Sequence, residues 1–170
     1  MSLTIRRATN ADQDAVVHVI KAVYDEYEFP WIPDGYHADL YDLEGSYDAM
    51  GDEFFLAELD GVPVGTAALE VFPVVPAGVL KPLVRIEGCD CSIERLYVHP
   101  LARRKRVGQS LMQHVMDRAR ELGRTQMEIW SDVKFLEAHA LYEKFGASVV
   151  ANRLCDDPDE SPEYGLSLRL

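Results

Sequence analysis

SIERLYVHPLARRKRVGQSL, residues 92 to 111, changes character three times. Ser92 to Val98 is rich in β-formers and reads as a strand, His99-Pro100 breaks it, and four cations, Arg103, Arg104, Lys105 and Arg106, lead into a helix that opens at Val107. A helix N-terminus carries partial positive charge and unpaired N–H groups, so it favours anions and is a poor place to stack cations. An anion is therefore expected there, since strand, turn and helix N-terminus together form a recurrent phosphate site. The plain alternative is a solvated charge run. Neither GxGxxG nor GxxxxGK[ST] occurs, so a dinucleotide-binding turn and a P-loop do not supply the grip.

Composition narrows the choices. A chain of 170 residues, 48% hydrophobic and 27% charged, suits one domain, residues 1–170, with a sizeable core. Seventeen cations against 29 acids leave a formal charge of −12, which argues against nucleic acid or anionic membrane as a partner, because both need a broad positive face. Three cysteines, Cys89, Cys91 and Cys155, do not make a disulfide framework and point to a reducing, cytoplasmic setting. Cys89-x-Cys91 lacks the CxxC spacing and the second ligand pair of a zinc site, so no metal is expected. No apolar run approaches the roughly 20 residues of a membrane span, and no leader opens the chain.

Outward from the central stretch, periodicity predicts the other elements. Leu3 to Arg7 is a strand, and Thr9 with Asp12 resembles a capping box for a first helix whose stripe is Val16, Val19, Ile20, Val23 and Tyr27. A second short helix is expected around His37 to Leu43. Asp60-Gly61 predicts a tight hairpin between Phe54–Leu59 and Val64–Val71. Pro73, Pro76, Gly78 and Pro82 mark a loop, with Leu83 to Ile86 as a strand edge.

Alternation in the central strand places Cys91, Ile93, Arg95 and Tyr97 on one side and Ser92, Glu94, Leu96 and Val98 on the other. In the helix after it, Val107, Leu111, Val115, Ala119 and Leu122 form the apolar stripe, and Gly123 suits the position beyond its end. Gln126 to Trp130, Ser148 to Leu154 and Tyr164 to Leu170 are strands, and Leu136 to Phe145 is a helix stopped by Gly146. The order β, α, α, β, β, β, α, β, α, β, β is a mixed α/β (α+β) layout, one sheet with helices on both faces.

From Tyr24 to Tyr47, seven aromatics (Tyr24, Tyr27, Phe29, Trp31, Tyr36, Tyr41, Tyr47) interleave with seven acids (Asp25, Glu26, Glu28, Asp34, Asp39, Asp42, Glu44). Either the aromatics are core and the acids a wet face, or the segment walls a pocket for a cationic amine, which carboxylates and aromatic faces both attract.

With these elements placed, the chain resembles the GNAT superfamily of N-acetyltransferases, most strongly from Ser92 to Ala147. The family signature Q/R-x-x-G-x-G/A is matched by Arg103-Arg104-Lys105-Arg106-Val107-Gly108, with Arg106 where the middle glycine stands. The segment ALYEKFGA, with Ala138, Leu141, Tyr142, Lys144 and Gly146, is similar to the family's A-x-x-LY-x-k-x-G segment, with Phe135 in place of its usual Asn.

The resemblance implies an acyl-CoA N-acyltransferase architecture, a twisted, mostly antiparallel sheet of six to seven strands. It implies that acetyl-CoA is the co-substrate, with Leu96, Tyr97 and Val98 pairing the pantetheine arm, and Arg103, Arg104, Lys105, Arg106, Val107, Gly108, Gln109 and Ser110 around the phosphates. Tyr142 falls where the family often has the acid toward the departing thiolate; the plain alternative is a core aromatic. Many relatives carry a Glu where this chain has Ser92, and serine is no base at neutral pH. Glu94, two residues on, takes the role directly or through a water; or it pairs with a cation on a neighbouring strand such as Arg85; or there is no dedicated base and the amine sheds its proton to solvent before binding. Tyr27, Phe29 and Trp31 are the acceptor-side candidates, for a small-molecule amine or a peptide amino group. A catalytically inactive acyl-CoA-binding module of the same fold is the rival reading. A homodimer is common among look-alikes.

Overall fold

The computed structural model describes residues 1–73 and 85–170. Leu83 and Val84 of the expected strand edge, with Pro76, Gly78 and Pro82, lie outside the described residues; Arg85 and Ile86 are irregular.

Among the described residues, seven strands form one mixed sheet: β1 (Leu3–Arg7), β2 (Glu53–Leu59), β3 (Val62–Val71), β4 (Cys91–Val98), β5 (Gln126–Asp132), β6 (Ser148–Leu154) and β7 (Pro162–Arg169), in the order β1-β2-β3-β4-β5-β7-β6. The α-helices of the described residues are α1 (Gln13–Glu26), α2 (Leu43–Ser46), α3 (Val107–Glu121) and α4 (Leu136–Lys144). The expected α/β class and the element order hold. Neighbours β1/β2, β2/β3, β5/β7 and β6/β7 run antiparallel and β4/β5 parallel. Sequence order alone does not place β7 between β5 and β6.

The chain divides into two compact units, Met1–Glu70 with Glu94–Asp117, and Val71–Ile93 with Arg118–Leu170. In the first, the Thr9 box forms as expected: the Thr9 hydroxyl accepts from Ala11 N–H, and Asp12 Oδ2 accepts from Thr9 N–H at 2.9 Å. It caps a 3-10 turn, Asn10–Asp12, that runs straight into α1. Asp60 (φ 51) and Gly61 (φ 80) both take left-handed backbone, the geometry of the tightest hairpin turn. Val16, Ile20 and Tyr24 of α1 pack with Leu40, Leu43, Phe54, Leu56 and Ala68 in one cluster.

The second short helix differs from expectation. Ala38–Tyr41 is a 3-10 turn, and Asp42 (ψ 78) interrupts it before α2, its carboxylate accepting from Gly45 N–H at 3.0 Å. A side chain that satisfies the backbone locally competes with a continuous helix.

Along α3 the stripe Val107, Leu111, Val115 and Ala119 is buried, joined by Met112 and Met116. Leu122 is not part of it: the helix ends at Glu121 and Leu122 is half-buried beyond it. Gly123 (φ 74) reverses the chain, with Gly123 N–H donating to Arg120 O and Arg124 N–H to Ala119 O, both at 2.9 Å.

In the second unit, Met127 and Ile129 of β5 and Leu166 and Leu168 of β7 are buried, as is Tyr142 of α4. Gly165 leaves room for the Trp130 ring, which a Cβ would meet at 2.7 Å. β7 begins two residues earlier than its apolar pattern suggests, because Pro162 and Glu163 pair with Leu154 and Arg153.

Candidate active site

Strand β4 supplies the frame. Its parallel ladder with β5 comprises Cys91, Ser92 and Ile93, and the strand continues past that ladder to Val98. Glu94, Leu96, Tyr97 and Val98 are all half-buried there. Backbone beyond a ladder is where an extended ligand can add as a strand.

Arg95 interrupts the strand. Its φ of 51 puts a non-glycine residue in the left-handed region, so the regular pleat assumed from alternation does not run through β4. Thr66 Oγ1 donates to Arg95 O at 2.8 Å. The Arg95 guanidinium donates to both oxygens of Asp39, at 2.7 and 3.0 Å, and to Tyr36 O at 2.8 Å. Tyr47 O–H donates to Asp39 as well, and burial first, then the Asp39 charge, pushes its own pKa up. Strain of this kind persists only where surrounding contacts over-determine it. Tyr97 leaves β4 toward α1, its hydroxyl 3.4 Å from that of Tyr24.

After β4, His99 N–H donates to Val64 O at 2.9 Å, and the His99 ring stacks on His18 with centroids 5.2 Å apart. The chain then turns through Arg103 to Arg106 into α3. Arg104 and Arg106 both have φ 63. Arg106, the residue in the signature's middle glycine position, therefore adopts the backbone a glycine would, at a cost of about 1–2 kcal/mol. Such turns point successive N–H groups the same way and make anion-binding concavities. The side chains of Arg104, Lys105 and Arg106 are exposed; Val107 is buried and anchors the first turn of α3, Gly108 and Ser110 are half-buried, and Gln109 is exposed. Gly65 of β3 lets α3 come close: a Cβ there would meet Leu111 and Val107 at 2.8 Å and Tyr97 O at 3.3 Å.

Arg103 is not a free cation. Its guanidinium makes a two-pronged ion pair with Glu26, the last residue of α1, with Nη1 2.7 Å from Oε1. That pair holds the Glu26 carboxyl below the usual range.

Of the seven aromatics in the acidic segment two are buried, four, Tyr36 among them, are half-buried and Tyr41 is exposed. Tyr24 and Tyr47 are buried, and Tyr24 meets the rings of Phe29, Trp31, His37 and Tyr97. Tyr27 and Phe29 stack at 5.6 Å and, with Trp31, remain half-buried. Most of the acids have partners: Asp25 with Lys21, Glu26 with Arg103, Asp39 with Arg95, and Asp42 and Glu44 with Asn10. Glu28 and Asp34 are exposed and have no described partner.

His37 is fully buried, which its sequence neighbourhood does not signal. Its Nδ1 accepts from Ile32 N–H at 3.1 Å, which leaves the proton on Nε2. That Nε2 has no hydrogen-bond partner, while the rings of Tyr24 and Tyr36 stand edge-on to the imidazole at 4.6 and 5.1 Å. Burial, reinforced by the Arg95 charge, lowers its pKa to about 4.

In the second unit, Tyr142 is 4% exposed on α4. Ser92 is fully buried, its hydroxyl donating to Ile93 O at 3.5 Å. Arg85 bonds Glu128 at 3.5 Å and lies over the Phe72 ring. Cys89, Cys91 and Cys155 are free thiols, and burial pushes that of Cys91 up to about 12. Among the described residues no group of three or more His, Cys, Asp or Glu is arranged to hold a metal, and no helix is long and apolar enough to cross a membrane.

The model of the Acetyltransferase (GNAT) family matches residues 20–147, a span that takes in α1, β4, the basic turn, α3 and α4. The chain belongs to this family. A curated relative, the uncharacterized N-acetyltransferase YjgM of Escherichia coli (strain K12), is 29% identical over 148 residues, covering 85% of this chain and 81% of its own. Among solved structures, a GNAT-family acetyltransferase of Staphylococcus aureus Mu50 superposes with a TM-score of 0.76 at 18% identity, covering 99% of each chain. The protein yncA of Salmonella typhimurium, solved with its cofactor acetyl-CoA, gives a TM-score of 0.71 at 20% identity, over 100% of this chain and 95% of that one. At these identities the structures establish a shared GNAT fold.

Proposed function

We propose that residues 1–170 work as one cytoplasmic acetyl-CoA-dependent N-acetyltransferase domain, moving the acetyl group to a primary amine by direct attack in a ternary complex. The observation that carries this reading is the turn before α3, where Arg104 and Arg106 hold left-handed backbone in the family's pyrophosphate signature. The fold neighbour solved with acetyl-CoA supports the choice of co-substrate. Leu96, Tyr97 and Val98 offer the pantetheine arm backbone beyond the β4/β5 ladder. The amides of Arg103 to Ser110 face the diphosphate.

In the reaction, the neutral amine nitrogen attacks the thioester carbonyl, the oxyanion takes a hydrogen bond from an amide near Val98, and the C–S bond breaks to give the amide and a thiolate. Tyr142 donates a hydrogen bond that strengthens as charge builds on sulfur. A phenol of pKa about 10 against a thiol of about 8.5 makes full proton transfer mildly uphill. Glu94, half-buried just past the ladder, takes the proton that the attacking nitrogen loses as the amide forms, directly or through a water; buried Ser92 offers no base. Tyr27, Phe29 and Trp31 border the acceptor, a small-molecule amine or a peptide amino group. Holding two reactants in register supplies much of the rate.

Calorimetry with acetyl-CoA, followed by thiol release across a panel of amines, tests the reading. Binding with turnover on at least one amine is expected. Binding without turnover on any would make the protein a CoA-binding module.

A further inference from the structure

Four cations stand in the run that leads into α3, yet they are not equivalent. Among the described residues Arg104, Lys105 and Arg106 have no ion pair and are exposed, whereas Arg103 is held two-pronged by Glu26. The guanidinium fork matches a carboxylate and a phosphate equally well, so Glu26 occupies the donors that a phosphate would use. The pair is also reachable. Arg103 is 29% and Glu26 40% exposed at the side chain, so the two can part in contact with water, at a cost far below that of opening a buried pair.

Charge favours an exchange in one direction. A single carboxylate carries one negative charge, while each phosphoryl of a diphosphate carries its own and meets Arg104, Lys105 and Arg106 at the same time. In a chain of net charge −12, a Glu left beside the phosphate site repels an incoming polyanion, and pairing with Arg103 screens that repulsion until the ligand arrives.

Placement gives the exchange a second consequence. Glu26 ends α1, and the next residues are Tyr27, Glu28 and Phe29, with Glu28 in left-handed backbone (φ 56) and Phe29 N–H donating to Tyr24 O at 2.9 Å. Tyr24 in turn touches Tyr97 of β4. The aromatic segment is thus tied to the phosphate turn through Glu26 and to the pantetheine strand through Tyr24.

Resting on the acetyl-CoA reading above, we infer that Glu26 is a positioning residue for cofactor capture: it holds Arg103 in place of a phosphate and yields it when the CoA diphosphate docks. The exchange makes and breaks ion pairs only, with no covalent step. Glu26 thereby lowers cofactor affinity and keeps the Arg103 guanidinium aimed at the turn while the site is empty.

The test compares acetyl-CoA with S-acetylpantetheine, which carries the same thioester and no phosphate, by calorimetry on the full chain. Glu26→Gln is expected to bind acetyl-CoA about fivefold tighter, with S-acetylpantetheine unchanged within about twofold, and Glu26→Asp, which restores the charge, is expected to stay near wild type. Equal changes on both thioesters would mean a merely structural role, and unchanged or weaker acetyl-CoA binding would remove the competition; either result overturns the inference. A wild-type chain that binds neither thioester would overturn the acetyl-CoA reading itself, an outcome distinct from both.

Discussion

Arg95 of β4 and Asp39 of the 3-10 turn before α2 form a largely buried two-pronged ion pair, with Arg95 Nη2 and Nε 2.7 and 3.0 Å from the carboxylate oxygens. Side-chain exposure is 12% and 24%, so neither charge is well solvated alone. Asp39→Ala strands the Arg95 charge and the Tyr47 hydroxyl together. A loss of about 3 kcal/mol is expected by denaturant titration, the usual result of breaking a buried pair from one side. A loss under about 1 kcal/mol would show that water reaches Arg95 freely.

His37 sets a pH dependence of stability. Its folded pKa, about 4, lies below the unfolded value of 6.5, so between these pH values the unfolded chain binds more protons. Stability from this group is complete above about pH 6.5 and falls away as pH drops toward 4. Arg95 opposes protonation from β4, while Asp39 favours it less strongly. The melting temperature of wild type minus that of His37→Phe should fall as pH drops through that window. Parallel curves would assign the acid sensitivity to other groups.

Gly65 is expected to tolerate no side chain. Gly65→Ala sets a Cβ 2.8 Å from Leu111 Cδ1 and Val107 Cγ1, and 3.3 Å from a backbone oxygen of β4 that cannot swing aside. A destabilisation of about 1–3 kcal/mol follows from overpacking. Because the same contact seats the first turn of α3, CoA affinity should weaken in the folded variant, as measured by calorimetry.

Tyr142→Phe removes one hydroxyl from a side chain that is 4% exposed, and leaves its ring volume. If the hydroxyl assists thiolate departure, kcat falls by roughly 10²-fold while CoA affinity holds. An unchanged kcat in a steady-state assay would make Tyr142 a packing residue. Glu94→Gln is expected to shift the rate profile to higher pH, where the free amine needs no base; an unaltered profile would remove Glu94.

Much of the fold was legible because its signals are local. The Thr9–Asp12 box, the Asp60-Gly61 turn, the stripe of α3 and the Gly123 and Gly146 stops each need only a few neighbouring residues to act, and each stands close to where the sequence places it. The helix expected over His37 to Leu43 failed because Asp42 satisfies Gly45 and Asn10 instead of continuing the ladder. Within the candidate site, the basic turn ahead of a helix was legible as an element, yet the balance between core and pocket in the Tyr24–Tyr47 segment was not. Asp39 looks like a free acid until Arg95, 56 residues away, is brought to it.

Ser92 to Leu111 by itself determined that a strand, a basic turn and a helix follow one another, because propensity, proline and periodicity are properties of adjacent residues. Only the tertiary structure decided that Arg106 carries the backbone its signature reserves for glycine, that Arg103 already has a carboxylate in its fork, and that β4 outruns its ladder with β5. Those outcomes depend on which distant groups meet. Such meetings are set by packing and charge pairing across the chain, and leave no local mark on the residues concerned.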